Sequence, residues 1–281
     1  MVLGTRLDAH RLYQGLRRRL TKQARGIRNR AMFSRWLRSA RPVLVYQMGK
    51  VGSTSVRRSL AATYPGLSVN THDFFAGHNN WMVRRLYREV TEERAPLDVI
   101  ALIREPIGRN ISAFFENYER DTGVSFRKSD LTVAQLRDLF LANYPHDLPL
   151  EWFENHIERN FGIDVYASPF PERGYATYER GPVRLLVVRA EIPDAVKEEA
   201  IREFLDLQAF QLVRANVGDE KIYADQYKAF KREVRLPAEY LDGMCTSRYF
   251  NHFYSQDVIE EVRRRWSEEA AEPGQKVTST D

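Results

Sequence analysis

The sequence predicts an α/β protein of three layers, with helices on both faces of a central, mainly parallel sheet and further helices added at the C-terminal end. Three observations support this fold class. Short, β-rich apolar runs alternate with segments of helical spacing, a loop rich in glycine and serine follows the first run, and no internal repeat interrupts the pattern. Because alternating strands and helices build βαβ units, these strands are expected to run parallel.

Three apolar runs and one more polar segment, at 67–72, are predicted to be the strands. They read PVLVYQM at 42–48, LSVNTH at 67–72, LDVIALIRE at 97–105 and VRLLVVR at 183–189. The third is the clearest buried strand in the chain, as expected for a strand that is covered on both faces.

Helices are predicted between and after these strands. One begins near Ser53, and Pro106 stands in the first turn of another, where proline is tolerated. The remaining predicted elements are helices at 81–90, 131–160 and 194–206, a polar loop at 216–228, and two helices that end near Trp266.

The chain is expected to form one folded domain with two appendages. Of its 281 residues 43% are hydrophobic, and no apolar run approaches the roughly 18 residues that a membrane span requires. Residues 41–266 are predicted to be the domain, residues 1–40 a basic, helical arm and residues 267–281 a disordered tail. Cys245 is the only cysteine. This excludes an intrachain disulfide and favours a cytoplasmic setting.

Positive charge is concentrated in the arm. The net charge of the chain is +5, whereas residues 1–40 contain eleven Lys or Arg and one acidic residue, Asp8. Leucines at helical spacing beside the arginines at 17–19 are compatible with peripheral binding to an anionic membrane at its inner face. A solvated helix explains the pattern equally well. Nucleic acid is less favoured as a partner, because the arm has few aromatic residues and the rest of the chain is acidic.

The loop GKVGSTS at 49–55 is suited to binding an anion. A glycine-rich loop between a strand and a helix presents backbone N–H groups, to which Lys50 adds a charge and three hydroxyl side chains add donors. Nucleotide triphosphatases place the lysine directly before the Ser or Thr at the helix start, but Lys50 comes three residues earlier. A magnesium-nucleotide site is therefore disfavoured, although the fold is P-loop-like.

A second motif, IREPIGRNISAFFENY at 103–118, offers another anion site. Arg104 closes a buried strand, and Ser112 follows about two helical turns inside the next helix. Arginine binds phosphate through two parallel hydrogen bonds, and serine can donate a third. Two anion sites at the ends of parallel strands fit a nucleoside that carries phosphates at both ends.

Loop and second motif together resemble the 5′-phosphosulfate loop and the 3′-phosphate motif of sulfotransferases that use 3′-phosphoadenosine 5′-phosphosulfate (PAPS). Two later segments, WFENHIERNFGIDVY at 152–166 and SRYFNHFYSQDVIEEVRRRW at 247–266, resemble bacterial capsular polysaccharide synthesis proteins. The resemblance extends over residues 42–266. It implies transfer of a sulfuryl group from PAPS to a hydroxyl acceptor, most plausibly a carbohydrate, and requires no metal.

The resemblance also implies roles for individual residues. Lys50 matches the lysine that contacts the phosphosulfate and stabilises charge on the leaving oxygen. The residues that match phosphate-binding positions are Gly52, Ser53, Thr54 and Ser55 for the 5′-phosphate, and Arg104 and Ser112 for the 3′-phosphate. Lys221, in the predicted polar loop, is a candidate for a further phosphate contact.

The general base is predicted to be His72. In relatives that act on glycans a His or Glu follows the second strand, and His72 stands at that position. The ordinary pKa of histidine lies close to neutral, which suits a base. Glu151, Glu154 and His156 are the alternatives, since they lie at helical spacing in a segment that could line the acceptor cleft.

Two other functions stay open at this point. One is a non-catalytic, glycan- or nucleotide-binding accessory protein of polysaccharide synthesis. The other, a P-loop nucleotide kinase, is disfavoured by the position of Lys50 and because no predicted strand ends in the Asp that would hold Mg²⁺; the second motif offers Arg104 where that Asp would be wanted.

Overall fold

A computed structural model describes residues 31–35, 40–126, 131–213 and 222–268. Its sheet has five strands in the order β2-β1-β3-β5-β4, and all neighbours run parallel except β4 and β5. The strands are β1 (Val43–Tyr46), β2 (Ser68–Thr71), β3 (Leu97–Ile103), β4 (Tyr175–Arg180) and β5 (Val183–Arg189). The predicted α/β class and mainly parallel sheet are confirmed.

β4 was not predicted from the sequence. It reads YATYER, pairs antiparallel with β5 and forms one edge of the sheet, where most of its residues reach solvent. A strand whose residues are largely open to solvent needs no continuous apolar run. The apolar-run criterion therefore missed it.

The order of the strands creates a crevice at one end of the sheet. β1 lies between β2 and β3, so the chain leaves β1 toward one side and returns to the other side for β3. In open α/β sheets ligands bind outside the carboxyl ends of the strands at such a switch point. Here that crevice lies beside residues 47–52, 72–73 and 104–105.

The helices begin where the local sequence satisfies their free N–H groups. Asn80 accepts a hydrogen bond from the Met82 amide, Thr132 and Gln135 form a capping box, and Pro106 occupies a first-turn position. The helices are α1 (Ser53–Thr63), α2 (Trp81–Thr91), α3 (Pro106–Thr122), α4 (Val133–Asn143), α5 (Asp194–Phe204), α6 (Ala224–Glu233), α7 (Ala238–Cys245), α8 (Arg248–Phe253) and α9 (Gln256–Trp266). A π-helical segment spans Phe153–Glu158.

Two helix predictions are corrected by the structure. The segment 131–160 is not one helix, because α4 ends before Pro145 and the chain becomes helical again only near Trp152. Residues 222–268, the described part of the C-terminal region, hold four helices in place of two. Pro237 follows extended backbone at Val234 and opens a new helix, and Ser247 caps another by accepting a hydrogen bond from the Phe250 amide.

Buried apolar side chains form two clusters. The larger surrounds the sheet, and it includes Phe33, whose ring packs 5.4 Å from that of Trp81. The second lies between α3 and helices α4, α6 and α7, with Trp266 at its border. α3 thus joins the added helices to the rest of the protein, and its N-terminal end borders the crevice. None of the described helices is both long and apolar enough to cross a membrane.

A buried carboxylate holds the start of the domain to the sheet. Asp98 in β3 is 2% exposed and takes two contacts from Arg184, at 2.8 and 2.7 Å. Nε of Arg41 lies 2.7 Å from the same carboxylate. The three side chains connect β3, β5 and the segment that precedes β1.

Candidate functional site

A cleft of about 910 Å³ opens at the switch point of the sheet. Its volume is typical of sites that enclose small organic ligands. The cleft is lined by every described residue that the sequence assigns to phosphate binding or catalysis, namely Lys50, Gly52, Ser53, Thr54, Ser55, His72, Arg104 and Ser112. Lys221, the remaining candidate, lies outside the described residues.

The lining of the cleft is charged. Four cationic side chains, Lys50, Arg104, Arg109 and Arg120, line the cleft, against two carboxylates, Asp73 and Glu116. Arg104 directly follows β3, and Arg109 and Arg120 belong to α3, so these three cations lie on the β3 side of β1. The described lining therefore favours an anionic ligand on the β3 side of the cleft.

The loop between β1 and α1 presents its backbone to the cleft. Gly52 has φ 81° and stands directly before α1, whose first turn receives no side-chain cap. Nothing lies within 4 Å of the position that a Cβ of Gly52 would occupy, so it is the left-handed backbone that favours glycine here. Lys50 also has a positive φ, 72°, which is uncommon for a residue with a side chain. The N–H groups at the helix start and the adjacent hydroxyls suit a phosphate.

Two arginines hold this loop in place. Arg104 donates from Nη1 to the carbonyl of Lys50 at 3.3 Å, and Arg109 donates from Nε to the carbonyl of Gly49 at 3.0 Å. Arg109 is 3% exposed and also donates to the Tyr144 hydroxyl at 2.7 Å. Burial lowers the pKa of its guanidinium, which is nonetheless cationic at neutral pH. Because both arginines bind loop carbonyls, the loop is shaped before any ligand arrives.

Lys50 contacts a carboxylate from the opposite wall. Its Nζ lies 3.3 Å from Oε2 of Glu116 in α3, and the Tyr223 hydroxyl donates to the same oxygen. Lys50 is 26% exposed and Glu116 is 41% exposed. An ion pair this open to solvent contributes about 1 kcal/mol or less. A doubly charged ligand can therefore replace Glu116 as the partner of Lys50 at little cost.

His72 is oriented by the end of β1. Its Nδ1 lies 2.9 Å from the backbone carbonyl of Gln47, and a carbonyl can only accept, so Nδ1 carries the proton. In the neutral imidazole this leaves the lone pair on Nε2. The turn is held by Thr71, whose hydroxyl donates to the carbonyl of Asp73 at 2.7 Å. His72 is exposed at the cleft and has the tautomer that a base requires.

Of the three alternative bases only His156 lines the cleft. Its Nδ1 lies 2.6 Å from the Tyr46 hydroxyl, and its ring stacks on Trp152 at 5.3 Å. Glu154 instead lies 3.6 Å from Arg248, and Glu151 contacts Asn155 at 3.4 Å on an exposed surface. The two glutamates are thus not part of the described lining.

Sequence reasoning missed Arg109, Glu116 and Tyr223. The contacts that bring them to the cleft join residues 60 to 107 positions apart, which no local pattern reveals. Arg109 did leave one signal. It stands in the first turn of α3, where a cation opposes the helix dipole, and a cation there indicates that other contacts hold it.

Glu105, next to Arg104, is a carboxyl group with a raised pKa. Its two oxygens accept from the Gly108 amide at 2.8 and 2.9 Å, which caps α3. Burial raises its pKa to about 7, and the nearby Glu191 adds to the increase, while the Gly108 amide and Arg104 lower it. The folded protein therefore binds a proton at Glu105 more tightly than the unfolded chain does.

This raised pKa predicts a pH dependence of stability. The cost of ionising Glu105 is absent below about pH 4.5, grows as the pH rises, and reaches its full value above about pH 7. Glu105→Gln removes this cost. The free energy of unfolding of the variant, relative to wild type, should therefore rise by about 3 kcal/mol between pH 4.5 and 7.5. Urea unfolding at both pH values measures this difference in the free energy of unfolding, and the exposed Glu261→Gln is the control. If the free energy of unfolding of wild type and Glu105→Gln changed in parallel with pH, the prediction would be wrong.

Fold and site together define an α/β protein with a cleft whose described lining is rich in cationic side chains and includes two histidines. A family model described as "Putative capsular polysaccharide synthesis protein" (NKWYS) matches residues 127–255, which is less than half of the chain. This match supports the resemblance to capsular polysaccharide synthesis proteins. It includes Trp152, His156 and Tyr223 of the cleft and excludes the loop around Lys50. No curated protein and no solved structure matches the chain.

Proposed function

We propose that the protein is a sulfotransferase, which moves the sulfuryl group of PAPS to a hydroxyl of a carbohydrate in capsular polysaccharide synthesis. One observation carries the proposal. A single cleft at the switch point of the sheet is lined by His72, the predicted base, and by the described residues to which the resemblance assigns phosphate binding. A kinase function has less support, because the residue directly before Ser53 at the helix start is Gly52, where the nucleotide-binding pattern requires a lysine.

The donor set fits the two charged ends of the nucleotide. The Gly52–Ser55 backbone and hydroxyls would hold the 5′-phosphosulfate, with Lys50 beside its bridging oxygen. Arg104 and Ser112, on the β3 side, would hold the 3′-phosphate, and Arg109 keeps the loop in its shape. Bound PAPS supplies the sulfuryl group, and the chain supplies binding, orientation and proton transfer.

The chemistry is an in-line displacement at sulfur. His72 Nε2 takes the proton of the acceptor hydroxyl while that oxygen forms a bond to sulfur. The bond between sulfur and the 5′-phosphate oxygen breaks, and Lys50 stabilises the negative charge that this oxygen gains. The products are a sulfate ester and 3′-phosphoadenosine 5′-phosphate, with the proton on His72.

Calorimetric titration with 3′-phosphoadenosine 5′-phosphate tests the proposal. We expect micromolar binding to wild type and to His72→Ala alike, because His72 contacts the acceptor and not the nucleotide. ATP with Mg²⁺ should bind much more weakly. Transfer of ³⁵S from PAPS to oligosaccharides should fall by about 100-fold or more in His72→Ala. If the folded protein does not bind the bisphosphate, or prefers ATP with Mg²⁺, the sulfotransferase assignment is wrong.

A further inference from the structure

The cleft contains a second histidine, whose hydrogen bonds differ from those of His72. His72 binds the backbone of Gln47, and His156 binds the side chain of the preceding residue, Tyr46. Both imidazoles are thus attached to neighbouring residues at the end of β1. The protonation of His156 follows from the groups around the Tyr46 hydroxyl.

The Tyr46 hydroxyl accepts a hydrogen bond from Asn160. The Asn160 amide nitrogen donates to the backbone carbonyl of His156 at 2.9 Å, which assigns the orientation of that amide. The same nitrogen lies 3.4 Å from the Tyr46 oxygen and donates to it. The Tyr46 hydroxyl is buried and has one proton to donate. Among the hydrogen bonds of this hydroxyl to described residues, the acceptor for that proton is Nδ1 of His156, 2.6 Å away.

His156 is therefore the opposite tautomer of His72. Burial, with a smaller contribution from Arg159, lowers the pKa of His156 against the opposing effect of Asp73, so its ring is neutral at neutral pH. A neutral ring that accepts at Nδ1 carries its single proton on Nε2. Burial together with the charge of Asp73 raises the pKa of Tyr46, which keeps the hydroxyl proton in place for this bond.

The ring of His156 is also fixed in direction. It stacks on Trp152 with an interplanar angle of 16°, and Trp152 is itself 2% exposed. Nε2 stands on the edge of the ring away from Nδ1, and it makes no hydrogen bond to any other described residue, while His156 lines the cleft. A rigid N–H donor thus borders the side of the cleft where His72 supplies a lone pair.

Charge on this side of the cleft limits what can bind there. The described lining from residues 72–73 and 148–156 comprises His72, Asp73, Leu148, Trp152 and His156, and none of them is a lysine or arginine. Asp73 is the one carboxylate of this group. An acidic sugar would meet this carboxylate without a lining cation from the same segments to offset it.

We propose that His156 donates a hydrogen bond from Nε2 to an oxygen of the acceptor beside the reacting hydroxyl, and that this acceptor is an uncharged sugar. The proposal rests on the proposed function. His72 and His156 then have separate roles, since His72 removes the proton from the attacking hydroxyl and His156 holds a neighbouring oxygen, such as a vicinal hydroxyl. Vicinal oxygens are a common feature of carbohydrates.

The tautomer can be measured without any ligand. Long-range ¹H–¹⁵N correlation spectra at pH 7.5 distinguish the two nitrogens of each ring, and the chain has only six histidines. We expect His156 to carry its proton on Nε2 alone, and Tyr46→Phe, which removes the donor and retains the ring, to give a mixture of tautomers. A proton on Nδ1, or an imidazolium, in the wild-type protein would overturn the proposal.

The acceptor contact is tested in protein saturated with 3′-phosphoadenosine 5′-phosphate. Maltopentaose, as a neutral probe, should shift the His156 Nε2–H signal, and a penta-uronate should bind at least about tenfold more weakly. His156→Phe should lose about tenfold in affinity for maltopentaose, whereas His156→Gln, which retains a donor at a similar position, should lose less. No shift at His156, or tighter binding of the uronate, would overturn the proposal. If the bisphosphate did not bind, the proposed function would be wrong instead. The spectra of the ligand-free protein would still determine the tautomer of His156.

Discussion

Arg104→Ala should weaken the binding of 3′-phosphoadenosine 5′-phosphate about 100-fold, which corresponds to about 3 kcal/mol. Arg104 is held beside the loop by its bond to the Lys50 carbonyl, at 3.3 Å, so its guanidinium needs little reorganisation to meet a phosphate. Alanine removes both the charge and the paired donors. Arg104→Lys restores the charge without the fork geometry, and we expect an intermediate loss of about tenfold.

Calorimetry on the three proteins measures these affinities. Arg137→Ala is the matched control, because Arg137 is an exposed arginine of α4 that pairs with Asp138 and does not line the cleft. Circular dichroism should show that all variants are folded. An unchanged affinity in Arg104→Ala would place the 3′-phosphate elsewhere and remove the second anion site from the proposal.

Asp98→Ala should lower the free energy of unfolding by about 3 kcal/mol. The carboxylate is 2% exposed and contacts two arginines, which are 30% and 37% exposed. Its loss leaves Arg41 and Arg184 without their shared partner. Because both arginines reach water, the destabilisation should lie near the lower end of the range of about 3–5 kcal/mol for removing one partner of a buried ion pair. Since typical domains are stable by about 5–15 kcal/mol, this is a large fraction of the total.

Urea unfolding followed by tryptophan fluorescence gives the value. Asp138→Ala is the control, since its pair with Arg137 is exposed on both sides and should contribute less than about 1 kcal/mol. Asp98→Asn should lose less than the alanine variant, because the amide oxygen can still accept from Arg184. Equal stability of wild type and Asp98→Ala would show that the ion pairs only compensate for the burial of the carboxylate.

Local sequence patterns predicted the strands and helices whose own residues indicate them. β1, β3 and β5 were found because each is a continuous apolar run, and α1 and α3 because Gly52 and Pro106 mark their starts. The same criterion missed β4, because most of its residues reach solvent and it contains no continuous apolar run. It also merged helices that short breaks separate, since helical spacing continues across a turn.

The sequence predicted the phosphate-binding motifs of the cleft, but not the contacts that its residues make with distant parts of the chain. The loop at 49–55 and the Arg104–Ser112 pair are contiguous motifs, and both line the cleft. The contact of His156 with Tyr46 joins residues 110 positions apart, and that of Lys50 with Glu116 joins residues 66 apart. Such contacts depend on how α3 and the π-helical segment pack against the sheet, and a single sequence contains no direct record of that packing.

The backbone of Lys50 shows where the chain departs from its most stable sequence. Its left-handed conformation, with φ 72°, disfavours any residue with a side chain by about 1 kcal/mol, and glycine would adopt it without strain. Lys50→Gly would therefore relieve this strain, but it would also remove one of the cationic side chains that line the cleft.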